Sequence, residues 1–271
     1  DLCAMDAGYD CQIPLARVDI FLDEDAGSYT FCELNTDGSA GMVVTDAVCQ
    51  AVRMTPSFEE FASDHPGFWQ YDLCGSWIDA LFETYAEWEL AQPRRTEDSA
   101  RSDSGACVDE GLYAPQSKIY PASVAIVDYS ESIDLEDAAH FVDLMRQRGV
   151  VARFADVRDL RIVEEEGGAR RLCDAAGPID CVWRRAVTGE LWDKPCDGRS
   201  ALIEAAQEGL ACIVGGFRTW PCATKTVFAF LWSQAGQSLL SPEEQSFVRE
   251  HVPYTEILDE STQLARFAEK D

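Results

Sequence analysis

Between residues 123 and 214, short apolar runs alternate with amphipathic stretches, and this alternation restricts the chain to few folds. Val124–Val127 is apolar at every position. A strand reads that way when helices cover both faces of its sheet. Asp134–Arg148 follows with helical spacing, and Gly149 supplies its stop. Val150–Phe154 reads as the next strand, Cys181–Trp183 as another, Ala201–Gly209 as a helix and Ala211–Val214 as a further strand. Leu160–Val163 and Arg171–Cys173 flank Glu164–Gly168, which has the composition of a hairpin turn. The predicted class is therefore α/β, a largely parallel sheet flanked by helices. It is not a dinucleotide-binding unit, because Asp128–Ser132 (DYSES) follows the first strand where a Gly-x-Gly-x-x-Gly turn is required.

Upstream, the pattern changes. Residues 17–22 (RVDIFL) and 31–41 (FCELNTDGSAG) read as two strands of a hairpin around the acidic loop Asp23–Ser28. Alternate strand residues share a face. Arg17 and Asp19 are thus expected to project together, as are Glu33, Asn35 and Asp37. Gly38–Gly41 leads into a predicted helix over Met42–Met54. Such a glycine loop either binds an anion through backbone N–H groups or is a plain turn with Ser39 as cap. A short helix is expected around Phe58–Ala62, capped by Thr55 or Ser57. Trp77, Leu81 and Tyr85 recur at helical spacing through Glu89, a core stripe. Residues 92–118 are polar and aperiodic, the composition of a flexible linker or loop. They divide the chain into an N-terminal hairpin and helical segment, 1–91, and an α/β subdomain, 119–271. Near the end, Lys225 opens a predicted helix with Thr224 as its cap.

Charge narrows the function classes. Forty-nine acidic and 22 basic residues give a formal net charge of −27. No basic stripe exists to neutralise phosphates, which argues against nucleic-acid binding. No apolar run approaches the ~20 residues of a membrane span. The 11 cysteines are scattered without a Cys-x-x-Cys pair, so neither a disulfide framework nor a zinc site is indicated and a reducing, cytoplasmic setting is expected. The acid-rich, lysine-poor composition suits either a high-salt solvent or a GC-rich genome. Arg184 and Arg185 end a strand, where α/β sheets bind ligands, and either pair with internal acids or hold a carboxylate or phosphate.

The chemistry concentrates on the hairpin. Magnesium takes a tight octahedron of oxygens, usually a few side chains with phosphate and water, and Asp19, Glu33 and Asn35 are candidate ligands. Arg17 beside them carries the planar donor fork that grips phosphoryl oxygens. The competing reading is a solvated polar hairpin face.

The spacing Arg17-x-Asp19 … Glu33-x-Asn35-x-Asp37 resembles the signature of the glutathionylspermidine synthase-like, circularly permuted ATP-grasp family. Val124–Asp128, Asp180–Arg185, Lys225–Leu231, Leu239–Glu244 and His251–Thr255 resemble further stretches of that family. The resemblance implies a pre-ATP-grasp-like α/β subdomain and a hairpin that completes part of an ATP-grasp site. It implies that Asp19, Glu33 and Asn35 hold Mg²⁺ bridging ATP phosphates, and that Arg17 is catalytic, stabilising the acyl phosphate. Asp37 would support the loop or the acceptor; Ser39 of the glycine loop and Arg185 of the sheet edge are the other candidates for binding the substrates, a small carboxylic acid and an amine. In that family the nucleotide-clamping lobe lies beyond the segment matching His251–Thr255. The expectation is thus a portion of an ATP-dependent carboxylate–amine ligase that lacks this C-terminal lobe and is inactive alone. The alternative is a non-enzymatic α/β domain that binds a small ligand or serves as a scaffold.

Overall fold

A computed structural model describes residues 2–92, 119–259 and 263–268. The expected linker at 92–118 thus lies, apart from Gln92, outside the described residues. In chain order the elements are β1 (Arg17–Asp23), β2 (Ser28–Asn35), α1 (Met42–Arg53), α2 (Pro56–Asp64), α3 (Leu73–Ala91), β3 (Ser123–Asp128), α4 (Leu135–Gln147), β4 (Val151–Asp156), β5 (Arg161–Glu164) and β6 (Arg170–Asp174). They continue with β7 (Gly177–Pro178), β8 (Cys181–Arg184), α5 (Thr188–Asp193), α6 (Asp197–Glu208), β9 (Cys212–Val214), α7 (Thr226–Trp232), α8 (Gln234–Leu239), α9 (Pro242–His251) and α10 (Gln263–Ala268).

The central sheet is parallel, in the order β4-β3-β8-β9. All six residues of β3 are buried, which is why its sequence shows no alternation. On one face α3 and α4 bring Trp77, Leu81, Phe141 and Met145 onto Val124, Ile126 and Trp183. On the other, Leu202 and Ala205 of α6 and Leu172 of β6 pack on Val127, Val182 and Ile213. Each fully buried Leu, Ile or Phe of this kind contributes about 1.5–3 kcal/mol by leaving water. Several helices start where side chains satisfy their first N–H groups. Asp134 accepts from Glu136 and Asp137, Asp72 from Gly75, and Ser241 forms a reciprocal capping box with Glu244. Thr55 caps α2, which begins earlier than expected because Pro56 suits the first helical turn. Thr224 does not cap α7; the N-cap position is Lys225, without a side-chain bond.

β1 and β2 form a separate antiparallel pair, and β5-β6-β7 a second small sheet. The pairing of β1 with β2 runs Arg17↔Asn35, Val18↔Leu34, Asp19↔Glu33, then Ile20↔Phe31, so Cys32 is an extra residue. This bulge reverses the phase of β2. Without it Phe31 and Tyr29 would share the face of Glu33 and Asn35. With it they join Leu34 on the opposite face. Phe31 and Leu34 pack against Phe228 of α7 and Val248 of α9, and Tyr29 stacks on His251 at 4.3 Å.

The parallel sheet also has a crevice where the connections from β3 and β8 run to opposite sides. In open α/β sheets ligands gather at such a place. Here the β2–α1 loop enters it. Gly38 has φ of 68°, and a Cβ there would collide with the Arg185 carbonyl.

Candidate functional site

Four expected residues share the polar face of the hairpin. Arg17↔Asn35 and Asp19↔Glu33 are directly opposed, and opposed residues of an antiparallel pair place their side chains on one face. Arg17 Nε donates to Asp19 Oδ1 at 2.9 Å, with side chains 50% and 36% exposed. That bond holds the Asp19 carboxyl below the ordinary carboxylate range, and Asn35 and Glu33 beside it act in the same direction. The same pairing raises Arg17, so its charge is secure. The Asn35 amide nitrogen is buried and has no hydrogen-bond partner among the described residues. Two carboxylates and one amide oxygen on one face form an all-oxygen donor set of the kind a hard divalent cation takes with phosphate and water. The donor chemistry therefore fits magnesium. No group of three or more His, Cys, Asp or Glu among the described residues is arranged to hold a metal.

Two other expected residues lie elsewhere. β2 ends at Asn35, so Asp37 does not continue the strand's alternation. Its side chain is 1% exposed and ion-paired with Arg184, which is 0% exposed. Asp37 also accepts from the Thr188 backbone N–H at 2.7 Å and from Thr219 Oγ1 at 2.9 Å. Asp37 is thus a clamp between the hairpin and the sheet, and not a substrate group. Arg185 is likewise committed: it pairs with Asp137 at 2.9 Å with both side chains buried. Both arginines thus pair with internal acids, one of the two readings of this edge, while Arg185 Nε is buried without a hydrogen-bond partner among the described residues.

No protein-family model matches the chain, and no curated protein matches it. Among the described residues no helix is long and apolar enough to cross a membrane.

Ser39 is not the cap of α1. Its hydroxyl donates to the Asn35 carbonyl, and the N-cap position is Gly41, at φ of 104° and without a side-chain bond. The first N–H groups of this twelve-residue helix are therefore left to other partners. Arg17 Nη1 stands 3.9 Å from where a Gly41 Cβ would lie, so the guanidinium and the helix start adjoin. Between them opens a pocket of about 350 Å³ whose lining includes Leu15, Arg17, Ser39, Gly41, Met42 and Trp77. Periodicity marked Trp77 as core, and it is; the pocket was invisible because it forms between α3 and residues some sixty positions earlier, a juxtaposition that spacing cannot show. Asp128 was also missed. It ends β3 beside the crevice, and burial pushes its carboxyl up to about 6.

Proposed function

We propose that the chain supplies the metal-binding hairpin and the pre-ATP-grasp-like subdomain of an ATP-dependent carboxylate–amine ligase, similar to glutathionylspermidine synthase and the circularly permuted ATP-grasp proteins. The observation that carries this reading is the convergence of Arg17, Asp19, Glu33 and Asn35 on one face of β1–β2. Asp19, Glu33 and Asn35 would hold Mg²⁺, whose chemistry there is to neutralise phosphate charge as ATP phosphorylates the acid. Arg17 has a fixed charge and a two-pronged donor geometry. It would stabilise the oxygens of the acyl phosphate and the oxyanion formed when the amine attacks. Its bond to Asp19 orients the guanidinium along the hairpin face before any substrate arrives. The uncapped start of α1 adds backbone N–H groups beside the Arg17 guanidinium. On the Arg17–Asp19 face of β1, Phe21 is 68% exposed, an apolar side chain against which a nucleotide-clamping lobe would close.

One observation favours the non-enzymatic alternative. Asp19 already has an arginine partner, as it would in a scaffold. Mn²⁺ in place of Mg²⁺, added to the chain with ATP, separates the two. Paramagnetic broadening of the Asp19, Glu33 and Asn35 amide signals is expected in NMR spectra, with loss of that broadening in Glu33→Gln and an unchanged fold by circular dichroism. Broadening spread over the acidic surface, or unaffected by Glu33→Gln, would sink the metal assignment and leave the binding or scaffold reading.

A further inference from the structure

A two-stranded hairpin leaves an outer edge of unpaired N–H and C=O groups unless something covers it. β1 has such an edge. Among the described residues β2 is its one sheet neighbour, and no backbone group of residues 17–23 forms a hydrogen bond outside that pairing. The bulge at Cys32 is on β2, so β1 keeps the regular ladder that a further strand needs. Its residues include neither proline nor lysine, which commonly blunt such an edge. Val18, Ile20 and Leu22 share the face of Leu34 and Phe31. There α7 and α9 pack on β2 and leave the three β1 side chains 46%, 46% and 60% exposed. The edge thus combines free backbone groups with an aliphatic stripe.

The sequence of β1, RVDIFLD, is centred on Ile20 and indicates which strand fits it. Set antiparallel to a second copy about a two-fold axis at Ile20, Arg17 lies opposite the partner's Asp23 and Val18 opposite the partner's Leu22. Asp19 then meets the partner's Phe21, and Ile20 meets its own counterpart. Directly opposed residues share a face. Both aliphatic stripes therefore join on one side, and two Arg17–Asp23 pairs close the ends on the other. Other registers are worse. A slip of two residues sets Asp19 against Asp19 or Asp23 of the other copy, and like charges directly opposed are destabilising. A slip of one places the aliphatic face of one copy beside the polar face of the other. Charge and pattern together select a single self-pairing.

We propose that β1 is a self-association edge, at which two copies of this chain join into a continuous antiparallel sheet β2-β1-β1-β2. The partner's Asp23 then stands opposite Arg17 on the candidate metal face, so a second copy contributes a residue to that face. The association needs neither metal nor nucleotide and does not rest on the ligase reading. A pair of seven-residue strands is smaller than the standard interface of about 1,600 Å², so the dimer is weak and reversible.

Sedimentation velocity of the chain, free of metal and ATP, tests this in about 0.15 M salt, where repulsion between copies of charge −27 is screened beyond roughly 8 Å. A dimer with a Kd on the order of 10–100 µM is expected. Leu22→Lys, at an exposed position facing the partner's Val18, should weaken it at least tenfold with circular dichroism unchanged. Asp23→Asn keeps the acceptor for the Ala26 N–H and removes the charge facing Arg17. It should weaken the dimer about three- to fivefold, two exposed pairs being lost. In a mixture of isotope-labelled and unlabelled chains, an NOE from Val18 methyls of one copy to Leu22 methyls of the other is expected. A chain that stays monomeric to about 500 µM overturns the proposal and leaves β1 as an edge for a different strand. A dimer indifferent to either variant, or one without the Val18–Leu22 contact between copies, overturns it as well.

Discussion

Arg184 carries a full charge inside the molecule and spends every donor there. It reaches Asp37, Thr188 and Thr219, and the carbonyls of Ala186, Gly215 and Gly216. Removing one partner of a buried pair leaves the other charge uncompensated, which costs about 3–5 kcal/mol. Asp37→Ala should lower stability by that amount in urea unfolding, whereas Asp19→Ala, at an exposed pair, should change it by less than about 1 kcal/mol. Asp128 gives a pH signature of opposite sense to an ordinary ion-paired acid. Its carboxyl titrates near 6 when folded because of burial, against about 3.9 in an unfolded chain. Between those values the folded state holds the extra proton. Its contribution therefore falls as pH rises from about 4 to 6, and above that it costs about 3 kcal/mol. Asp128→Asn keeps the acceptor for the Tyr129 N–H and should remove this slope, so the variant gains on the unaltered chain as pH rises from 4 to 7 in urea titrations. An unchanged slope would show that Asp128 is ionised in the fold without penalty. Glu131, held at about 2 by Lys194 first and then Arg158, acts the other way, losing its contribution as pH falls toward that value.

The hairpin is the element in which sequence and structure part company, and the reason lies at one residue. β3, α3, α4, β4 and β8 were legible because burial imposes a period or an unbroken apolar run, and those survive in the sequence. A period of two carries no mark of an extra residue, so Cys32 concealed the reversal that sends Phe31 to the core while Glu33 stays outside. The same alternation, carried two residues beyond the strand, misassigned Asp37. The site residues Arg17, Asp19, Glu33 and Asn35 were legible as a group because they lie on the unbulged side of Cys32. The start of α1 was not, since a serine two positions before a glycine looks like a cap until its hydroxyl is seen to turn back to Asn35. Gly38 is the hinge between strand and clamp. Gly38→Ala meets both a left-handed backbone and the Arg185 carbonyl; the backbone conformation alone costs about 1–2 kcal/mol. Its thermal midpoint should fall accordingly, and the amide signals of Asp37 and Thr188 should shift. A midpoint within a degree of the unaltered chain would mean that the loop is free to leave the crevice.

At the scale of the whole molecule, a net charge of −27 is a diffuse repulsion that no single pair relieves. Screening shortens its reach from roughly 10 Å at 0.1 M salt to about 3 Å at 1 M. The melting temperature is therefore expected to rise by several degrees over that range, by circular dichroism, even though the exposed pairs Arg158–Glu131 and Arg170–Glu208 are weakened by the same salt. A fall would show that the pairs outweigh the repulsion. The clamp also imposes an order in time. Asp37 and Arg184 are 147 positions apart in the chain, and Tyr9 donates to the Ile213 carbonyl 204 positions away. A ribosome adding about 5–20 residues per second makes the hairpin on the order of ten seconds before it makes the arginine that fixes it. Through that interval Phe31 and Leu34, which the later α7 and α9 will cover, lie open to whatever is nearby. The hairpin proposed to hold the metal is synthesised early and secured late, so the yield of folded protein in a cell depends on how well that interval is guarded.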